Sequence, residues 1–512
     1  MDDDKINSPG NQPSPPPAPP EPPVNRPIFE TTPIEPAVPL VGNLQPEEVA
    51  PELETPEEVK SSPAAPFSIP SEEPPSAPLH DNKNKFFLIG GGIILFIIFF
   101  VLIIGFILGR NGARSIPVTL TYWGLWEDEA NIKPLIQEYE SKNKGITINY
   151  QKFAIQDYRD KLVARSAKGQ GPDIFRFHNT WLPEIKSVVA ALPPSIMSAS
   201  EFDKTFYKIH TKDLKIGDSY FGIPLTVDGL VLVYNEGLFK KAGISSPPVT
   251  WDDLFNSAIK LTVKDANGKI VTSGIALGTA TNIEHFSDIL ALFLIQNGVG
   301  IKDLDQPEAA QALEAYHKFA EPPDNVWDSS MPDSNTAFIQ EKVAMIIVPS
   351  WEILMIKSAN PELTLKAVPM PVIPGTGGEP KSLANYWVEG VSRTSKNQIE
   401  AWKFLKFLSQ KETMTKLYEN QSKSRLFGEP YSRVDLGPIL KDNDYTGAVI
   451  NQAQNFISIP MVSNTYDNGL NDEIVKYIED AINATDQGVS YSQALSTAKD
   501  GITQVLKKFE IQ

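Results

Sequence analysis

The segment PVTLTYWGLWEDEANIKPLIQEYESKN, residues 117–143, contains a complete strand, loop and helix pattern. Its first part, PVTLTYW, alternates apolar and polar residues with a period of two, which predicts a β-strand. In the following ANIKPLIQEYESKN the apolar residues have helical spacing, and Pro134 falls in the first turn, where a helix tolerates proline. Gly124 to Asp128 then form a loop at the carboxyl end of the strand, the edge at which α/β proteins bind their ligands.

The same pattern recurs farther along the chain. Residues 146–177 contain the strand ITINYQKF, the helix QDYRDKLVARSAK and a turn with a short strand, GQGPDIFRF. Thr250 predicts an N-cap, with Asp253 three residues later, and 471–509 has the pattern of two amphipathic helices. Repeated βα units imply a parallel-rich sheet covered on both faces, and ~400 residues are too many for one core. We therefore predict an α/β fold with two lobes.

Residues 1–85 differ in composition from the rest of the chain. The chain has 44 prolines, of which 22 lie within residues 1–80, and this arm holds 15 acidic residues against five basic ones. Such a segment cannot bury enough apolar surface to offset the loss of chain entropy. We predict a disordered, partly polyproline arm that acts as a solvated spacer, with a docking site for a proline-binding partner as the alternative.

An uncharged segment, FFLIGGGIILFIIFFVLIIGFILG, follows at residues 86–109. As a helix it would span ~36 Å, which exceeds a hydrocarbon core of ~30 Å. This predicts a transmembrane helix in contact with the lipid bilayer. Lysines 83 and 85 on one flank balance arginines 110 and 114 on the other, so the flanking charges do not decide its orientation.

The sequence lacks the residues that several classes of function require. The chain has no cysteine and five histidines, none of them in a metal-binding spacing, and no phosphate-binding glycine motif or GxSxG is present. The net charge of −17 argues against nucleic acid as a partner. We expect neither a metal nor a cofactor.

Aromatic residues follow several of the predicted strands. The strand parity of Tyr122 matches that of Val118 and predicts a core residue, whereas Trp123 points to the other face. The candidates for an exposed surface are Trp126 in the first loop, Trp181 after DIFRFHN, Trp351 after VAMIIV, Trp387 in NYWVEGV and Tyr466 in IPMVSNTYDN. Aromatic faces flanked by carboxylates such as that of Asp228 suit a sugar, because pyranose C–H faces pack on rings and the hydroxyls form hydrogen bonds.

Six segments carry a resemblance to a known family. TLTYWGLWEDE, GPDIF, GIPLTVDGLVLVYNEGLFKKAGI, PPVTWDDL, AFIQEKVAMIIVPSWEI and SKNQIEAWKFLKFLSQ resemble, in this order over 117–510, the extracellular solute-binding protein family 1. Its members are the sugar-capturing components of bacterial ABC importers. The resemblance implies two α/β lobes that close over a ligand: lobe 1 at 115–227 and 369–430, lobe 2 at 228–368 and 431–512.

The maltodextrin-binding relatives in this family imply roles for particular residues. Their binding acid before a YN motif matches Asp228, and their stacking tryptophan after an AM strand matches Trp351. A later stacking aromatic matches Tyr466, where this chain has tyrosine in place of tryptophan, and the polar cluster after GPD matches His178 and Asn179, with Trp181 nearby. We add Trp126, Trp123, Trp387 and Glu127 from the loop positions. Asp228 as a turn cap, Trp351 as core, His178 as a structural group and Glu127 to Glu129 as a solvated helix start are the alternatives.

The resemblance implies capture of a sugar without chemistry and its delivery to ABC permease subunits, and we expect a monomer. The linker 110–116 reaches at most ~25 Å, which holds the lobes near the membrane. With a permease as partner, the lobes would be extracellular and the arm cytoplasmic, in a single-pass protein of the cell membrane. Two alternatives remain open: a membrane-anchored sugar sensor, and a glycosidase that uses Glu127, Asp128 or Asp228, although the sequence spacing indicates no catalytic pair.

Overall fold

A computed structural model describes residues 117–373 and 381–511 of the chain. The predicted arm (1–85), transmembrane helix (86–109) and linker (110–116) lie outside the described residues. Within the described ranges no helix is both long enough and apolar enough to cross a bilayer.

The described residues form strands and helices in alternation. The strands are β1 (Val118–Leu125), β2 (Ile146–Phe153), β3 (Ile174–His178), β4 (Lys215–Ile216), β5 (Ser219–Tyr220), β6 (Ile223–Pro224), β7 (Leu230–Asn235), β8 (Val263–Lys264), β9 (Ile270–Thr272), β10 (Met345–Pro349), β11 (Leu365–Val368), β12 (Ser382–Leu383), β13 (Trp387–Val391) and β14 (Phe456–Ile457).

The α-helices are α1 (Glu129–Lys142), α2 (Tyr158–Ala167), α3 (Leu182–Ile185), α4 (Ala199–Thr205), α5 (Lys208–Asp213), α6 (Glu236–Lys241), α7 (Trp251–Leu261), α8 (Phe286–Gln296), α9 (Pro307–His317), α10 (Ser334–Ile339), α11 (Glu352–Ala359), α12 (Gln398–Leu408), α13 (Lys411–Ser424), α14 (Gly447–Gln452), α15 (Leu470–Asp486) and α16 (Tyr491–Lys508). Short 3₁₀ turns lie at Asn179–Trp181, Gly437–Ile439 and Ala453–Asn455.

The first strand and helix form where predicted, but the helix begins at Glu129, so Pro134 lies inside it and not in its first turn. Strand β1 pairs in parallel with β2, and Tyr122 is buried with its ring edge-on to Tyr150 at 5.0 Å between centroids. The strand runs to Leu125, two residues beyond the predicted end. Gly124 makes this extension possible, because a side chain there would collide with the ring of Tyr150. The loop before α1 is therefore short, and it begins at Trp126.

Two sheets organise the fold. The five-stranded sheet has the order β2-β1-β3-β13-β6, in which β1, β2 and β3 are parallel and β13 runs antiparallel to both its neighbours. The three-stranded sheet, β10-β7-β11, is entirely antiparallel. The expectation of a parallel-rich sheet is wrong for this second sheet. Runs such as MIIVP are buried on both faces whatever their direction, so their apolar pattern carries no information about strand polarity.

The chain crosses between the sheets more than once. Strand β6 belongs to the first sheet and β7 to the second, so residues 225–229 connect them; β11 and β13 are joined by a later crossing. The predicted lobe 1 contains the strands of the five-stranded sheet and the predicted lobe 2 contains those of the three-stranded sheet. The lobe boundaries themselves stay a prediction.

The predicted N-cap at Thr250 and the predicted pair of helices at 471–509 are both confirmed. Thr250 caps α7, since its Oγ1 accepts a hydrogen bond of 3.1 Å from the N–H of Asp253. Residues 470–508 form the two helices α15 and α16, which pack against each other.

A buried ion pair joins β3 to β13 in the five-stranded sheet. Arg176 and Glu389 lie directly opposite each other in the strand register, with Nε 2.7 Å from Oε1. Both side chains are at most 5% exposed, and Nη1 of Arg176 lies 3.5 Å from Glu429. Burial raises the pKa of Glu389, and Arg176 opposes that rise. The pair thus links β13, which comes late in the sequence, to β3, one of the first three strands.

Removing one member of this pair should destabilise the protein strongly. Glu389→Ala leaves a buried guanidinium without its main partner, and we expect a loss of roughly 3–5 kcal/mol in the free energy of unfolding. The matched control is Glu129→Ala, which removes an exposed pair with Lys133 and should cost less than about 1 kcal/mol. Urea unfolding measures both, and equal midpoints for the two variants would contradict a structural role for the buried pair.

Candidate functional site

A cavity of about 400 Å³ opens between loops that leave the two sheets. It is lined by the β1–α1 loop, the crossing segment after β6, the end of β10 with the start of α11, and the residues before β13. The segments 425–430 and 463–466 complete the wall. Of the predicted site residues, six line this cavity: Trp126, His178, Asp228, Trp351, Trp387 and Tyr466.

Aromatic rings form much of the cavity wall. Trp126 is 41% exposed and meets Trp387 edge-on, at 5.2 Å between ring centroids. Behind Trp387 lies Trp181, which is fully buried and also edge-on at 5.2 Å. Trp351 lies at the start of α11, and Tyr466 is 40% exposed. The cavity thus has aromatic surface from the first sheet, from the second sheet and from the loop before α15.

Asp228 lies in the segment that crosses between the sheets, and it is buried at the cavity floor. Its Oδ1 accepts hydrogen bonds from the N–H groups of Gly229 (2.7 Å) and Ser350 (3.1 Å), and Oδ2 accepts one from the Ser350 hydroxyl at 2.8 Å. Burial raises the pKa of Asp228 to about 7, and these hydrogen bonds oppose the rise. The carboxyl group therefore fixes a turn and faces the cavity at the same time.

Two buried histidines beside the cavity have opposite charge states. Burial lowers the pKa of His178 to about 4; its Nε2 lies 3.1 Å from Asn385 Oδ1 and its Nδ1 lies 2.8 Å from Thr180 Oγ1. For His285 burial also acts to lower the pKa, but hydrogen bonds with Asp288 and Glu352 outweigh it and raise the pKa to about 10. At neutral pH the first ring is uncharged and the second is an imidazolium.

A chain of polar contacts connects these two histidines. Asn385 donates from Nδ2 to Asp288 at 3.4 Å, and Asp288 lies 3.6 Å from His285. Asp288 also accepts a hydrogen bond of 2.7 Å from the N–H of Ser463, a cavity residue. These polar contacts connect three parts of the cavity wall, at His178, Asn385 and Ser463.

Four predicted site residues do not line the cavity. Trp123 is buried against Phe153, at 4.4 Å between ring centroids, and Trp181 is buried behind Trp387. Asn179 uses its side chain in hydrogen bonds to Asp213 and Ser458 and accepts one from the N–H of Tyr386.

Glu127 is the fourth of them. It is buried and accepts hydrogen bonds from Asn131 and Gln421, so the alternative of a solvated helix start is wrong for this residue, although it holds for the exposed Glu129. Its carboxylate lies 3.7 Å from Nη2 of Arg425, which is a cavity residue. Glu127 therefore supports the cavity wall from behind.

Sequence reasoning missed several residues of the wall. Leu354 and Met355 lie one helical turn after Trp351, and that spacing is a signal that could have identified them. For Arg425 and Phe427, which follow α13, we find no local signal, because only the tertiary fold brings this segment to the cavity.

The cavity lining has more acidic than basic groups. Its carboxyl groups are those of Asp228, Glu284, Glu352 and Glu429, and its guanidinium is that of Arg425. Each acid has a partner in the protein. Glu284 accepts a hydrogen bond of 2.8 Å from Asn464, Glu352 contacts His285 at 3.4 Å, and Glu429 lies 3.5 Å from Arg176.

Comparison with known sequences gives a match over more than half of the chain. A family model described as bacterial extracellular solute-binding protein matches residues 134–424. A binding protein of Brucella abortus is 27% identical over 308 residues, which cover 58% of this chain and 73% of that protein. The diacetylchitobiose binding protein of Streptomyces coelicolor is 26% identical over 315 residues, 56% of this chain and 68% of its own length.

Solved structures match the fold over a larger part of the chain. A cyclo/maltodextrin-binding protein complexed with maltotetraose covers 77% of this chain and 99% of its own, with a TM-score of 0.63 and 20% identity. An ABC substrate-binding protein from Listeria monocytogenes, in complex with cycloalternan, covers 77% and 99%, with a TM-score of 0.59 and 23% identity. These likenesses show that the chain has a two-lobed α/β fold of the periplasmic-binding-protein type.

Proposed function

The chain belongs to the family of bacterial extracellular solute-binding proteins, and from this membership we propose that it captures an oligosaccharide and delivers it to an ABC importer. The observation that carries the proposal is the aromatic lining of the cavity. Trp126, Trp351, Trp387 and Tyr466 present ring surface to one space, and Asp228 provides an acceptor at its floor. Rings that pack on pyranose C–H faces, together with acceptors for hydroxyl groups, suit a carbohydrate.

The position of these rings suggests how binding would proceed. Trp126 and Trp387 belong to the five-stranded sheet and its loop, whereas Trp351 follows β10 of the three-stranded sheet. A ligand that touches both groups binds the closed arrangement of the lobes better than an open one, and so shifts the equilibrium toward closure. Since every carboxyl group of the lining already has a protein partner, we propose binding without chemical turnover.

The charge of the lining supports an uncharged ligand. Four carboxyl groups face the cavity with one guanidinium, and that guanidinium already lies beside Glu127. An anionic solute such as a sugar phosphate or a uronate would place negative charge beside these carboxyl groups, and the repulsion between like charges would oppose its binding. We therefore propose a neutral oligosaccharide.

We further propose that residues 86–109 anchor the lobes to the cell membrane as a single-pass helix, with the arm 1–85 in the cytoplasm and the lobes outside. A linker of seven residues, 110–116, keeps the lobes within ~25 Å of the bilayer. This raises their effective concentration near a permease in the same membrane.

Thermal unfolding of the protein with a panel of saccharides tests the proposed function. A ligand that binds the native state alone stabilises it by about 2.7 kcal/mol at a hundredfold excess over Kd. We expect at least one neutral oligosaccharide to raise the unfolding temperature, and sugar phosphates and uronates of similar size to have no effect. A response to anionic solutes alone, or to no carbohydrate, would overturn the proposed ligand class.

The variant Trp126→Ala tests the aromatic wall. Loss of one stacked ring, about 1–1.5 kcal/mol, should weaken affinity for the sugar identified above roughly tenfold. Because the side chain is 41% exposed, the stability of the ligand-free protein should change little. The control is Tyr477→Ala, an aromatic of 36% exposure on α15 that does not line the cavity. Isothermal titration calorimetry compares them, and equal affinities would exclude Trp126 from the site.

Single thiols test the proposed topology, because the chain has no cysteine of its own. We would introduce Ser61→Cys in the arm or Ser246→Cys at an exposed position of the lobes. A membrane-impermeant maleimide added to intact cells should label the lobe thiol and spare the arm thiol, and permeabilised cells should label both. Labelling of the arm alone in intact cells would reverse the topology.

A further inference from the structure

The loop 463–469 brings Ser463, Asn464 and Tyr466 to the cavity in a strained backbone conformation. Asn464, Tyr466 and Asn468 have φ angles of 60°, 54° and 48°. Asparagine adopts this left-handed region readily, whereas tyrosine does so at a cost, so surrounding contacts must hold Tyr466 there.

Asp467, in the middle of the loop, is one source of these contacts. Its side chain is fully buried, and its carboxylate accepts four hydrogen bonds. Oδ1 accepts from the N–H groups of Gly469 (3.0 Å) and Asp472 (3.1 Å), and Oδ2 accepts from the N–H (2.9 Å) and Nδ2 (2.7 Å) of Asn471. The carboxylate thereby ties the loop to the start of α15.

Glu184, on α3, interacts with Asp467, and the two carboxyl groups meet at Gly469, whose N–H donates to Asp467. The side chain of Glu184 is fully buried and packs so closely on Gly469 that a Cβ there would collide with its carboxyl group. Its Oε2 accepts a hydrogen bond from Arg159, whereas its Oε1 has no hydrogen-bond partner in the part of the chain that the structure describes. Such an oxygen, close to a second carboxyl group, gains a hydrogen bond when one of the two groups carries a proton.

The surroundings favour a proton on Glu184. Burial, followed by the negative charge of Asp467, raises the pKa of Glu184 to about 9, although the positive charge of Arg159 favours its ionised form. Two further acids face this group of charges. Asp160 is bound by Arg159 at 3.0 Å and by Asn468 at 3.2 Å, and burial raises the pKa of Asp472 to about 6.

We propose that Glu184 is a positioning residue for ligand binding: its protonated carboxyl donates a hydrogen bond to Asp467 and thereby holds the loop 463–469, with Tyr466, in the shape that meets the ligand. This inference rests on the proposed sugar-binding function. It assigns a role to a side chain that does not itself reach the cavity. When Glu184 loses its proton, it and Asp467 repel each other, and the loop loses a contact that its backbone conformation requires.

The stability of the ligand-free protein tests the shared proton. In the unfolded chain Glu184 titrates near its ordinary pKa of 4.5, and in the folded protein its pKa is about 9. The folded state therefore holds the extra proton, and its contribution to stability is complete below pH 4.5 and is lost as the pH rises to about 9. Glu184→Gln keeps a neutral donor at every pH.

We expect the unfolding temperature of the natural protein to fall progressively below that of Glu184→Gln between pH 5 and about pH 9. The two proteins share every titrating group except Glu184, so the difference between their unfolding temperatures isolates the effect of this residue. A difference between the two that stays constant over this range would overturn the shared proton.

Affinity for the sugar tests the positioning role. At pH 7.5 Glu184→Gln should bind as tightly as the natural protein, whereas Glu184→Ala and Tyr466→Ala should each lose affinity about tenfold. If Glu184 acts through Tyr466, the double variant Glu184→Ala/Tyr466→Ala should lose no more than Tyr466→Ala alone. If the fold-loss of affinity in the double variant equals the product of the two single losses, Glu184 does not act through Tyr466 and the positioning role is overturned.

The results of these two measurements can be distinguished from a failure of the proposed sugar-binding function. A protein that shows the pH profile of stability but binds no carbohydrate overturns the proposed function and the positioning role, and leaves the shared proton standing. If Glu184→Ala does not fold, the pH dependence of affinity decides. The natural protein should weaken relative to Glu184→Gln as the pH rises from 7.5 to 9.5, and parallel curves would contradict the proposal.

Discussion

The buried carboxyl group of Asp228 is the contact on which the cavity depends. Its side chain accepts hydrogen bonds from Ser350, at the end of β10, and its main-chain oxygen accepts one of 2.9 Å from Asn385, just before β13. One residue thus connects the first crossing between the sheets to the entry of α11 and to a later crossing. Because Trp351 and Trp387 follow these two partners within two residues, Asp228 contributes to the position of both rings.

The polar network around this anchor fixes charge as well as distance. His178 and His285 are both buried, but an amide and a hydroxyl surround the first, while two carboxylates surround the second. Burial therefore leaves one ring neutral and its partners keep the other charged. With pKa values of about 4 and about 10, neither ring changes its charge between pH 5 and 9. The acids near the cavity with pKa values inside this range include Asp228 (about 7), Asp472 (about 6) and Glu184 (about 9).

Local signals in the sequence predicted the elements and the residues at their ends. The strand β1, the cap at Thr250 and the loop position of Trp126 depend on neighbours within a few residues, and the structure has them as predicted, except that β1 ends two residues later. Contacts between distant segments were not predictable in this way. Arg176 and Glu389 are 213 residues apart, and the support of Arg425 by Glu127 joins residues nearly 300 apart. The directions of β10 and β11 were missed for the same reason, since pairing is a property of two segments and periodicity a property of one.

Backbone strain separates two aromatic residues from the rest of the wall. Trp126 and Tyr466 have φ angles of 40° and 54°, and they are also its most exposed aromatic side chains. A large side chain in the left-handed region costs of order 1–3 kcal/mol, and an exposed ring recovers little of that through packing. Selection for stability alone would place glycine or asparagine at these positions and bury the rings. The two residues keep both costs in loops that face one cavity, and we propose that contact with a ligand offsets these costs.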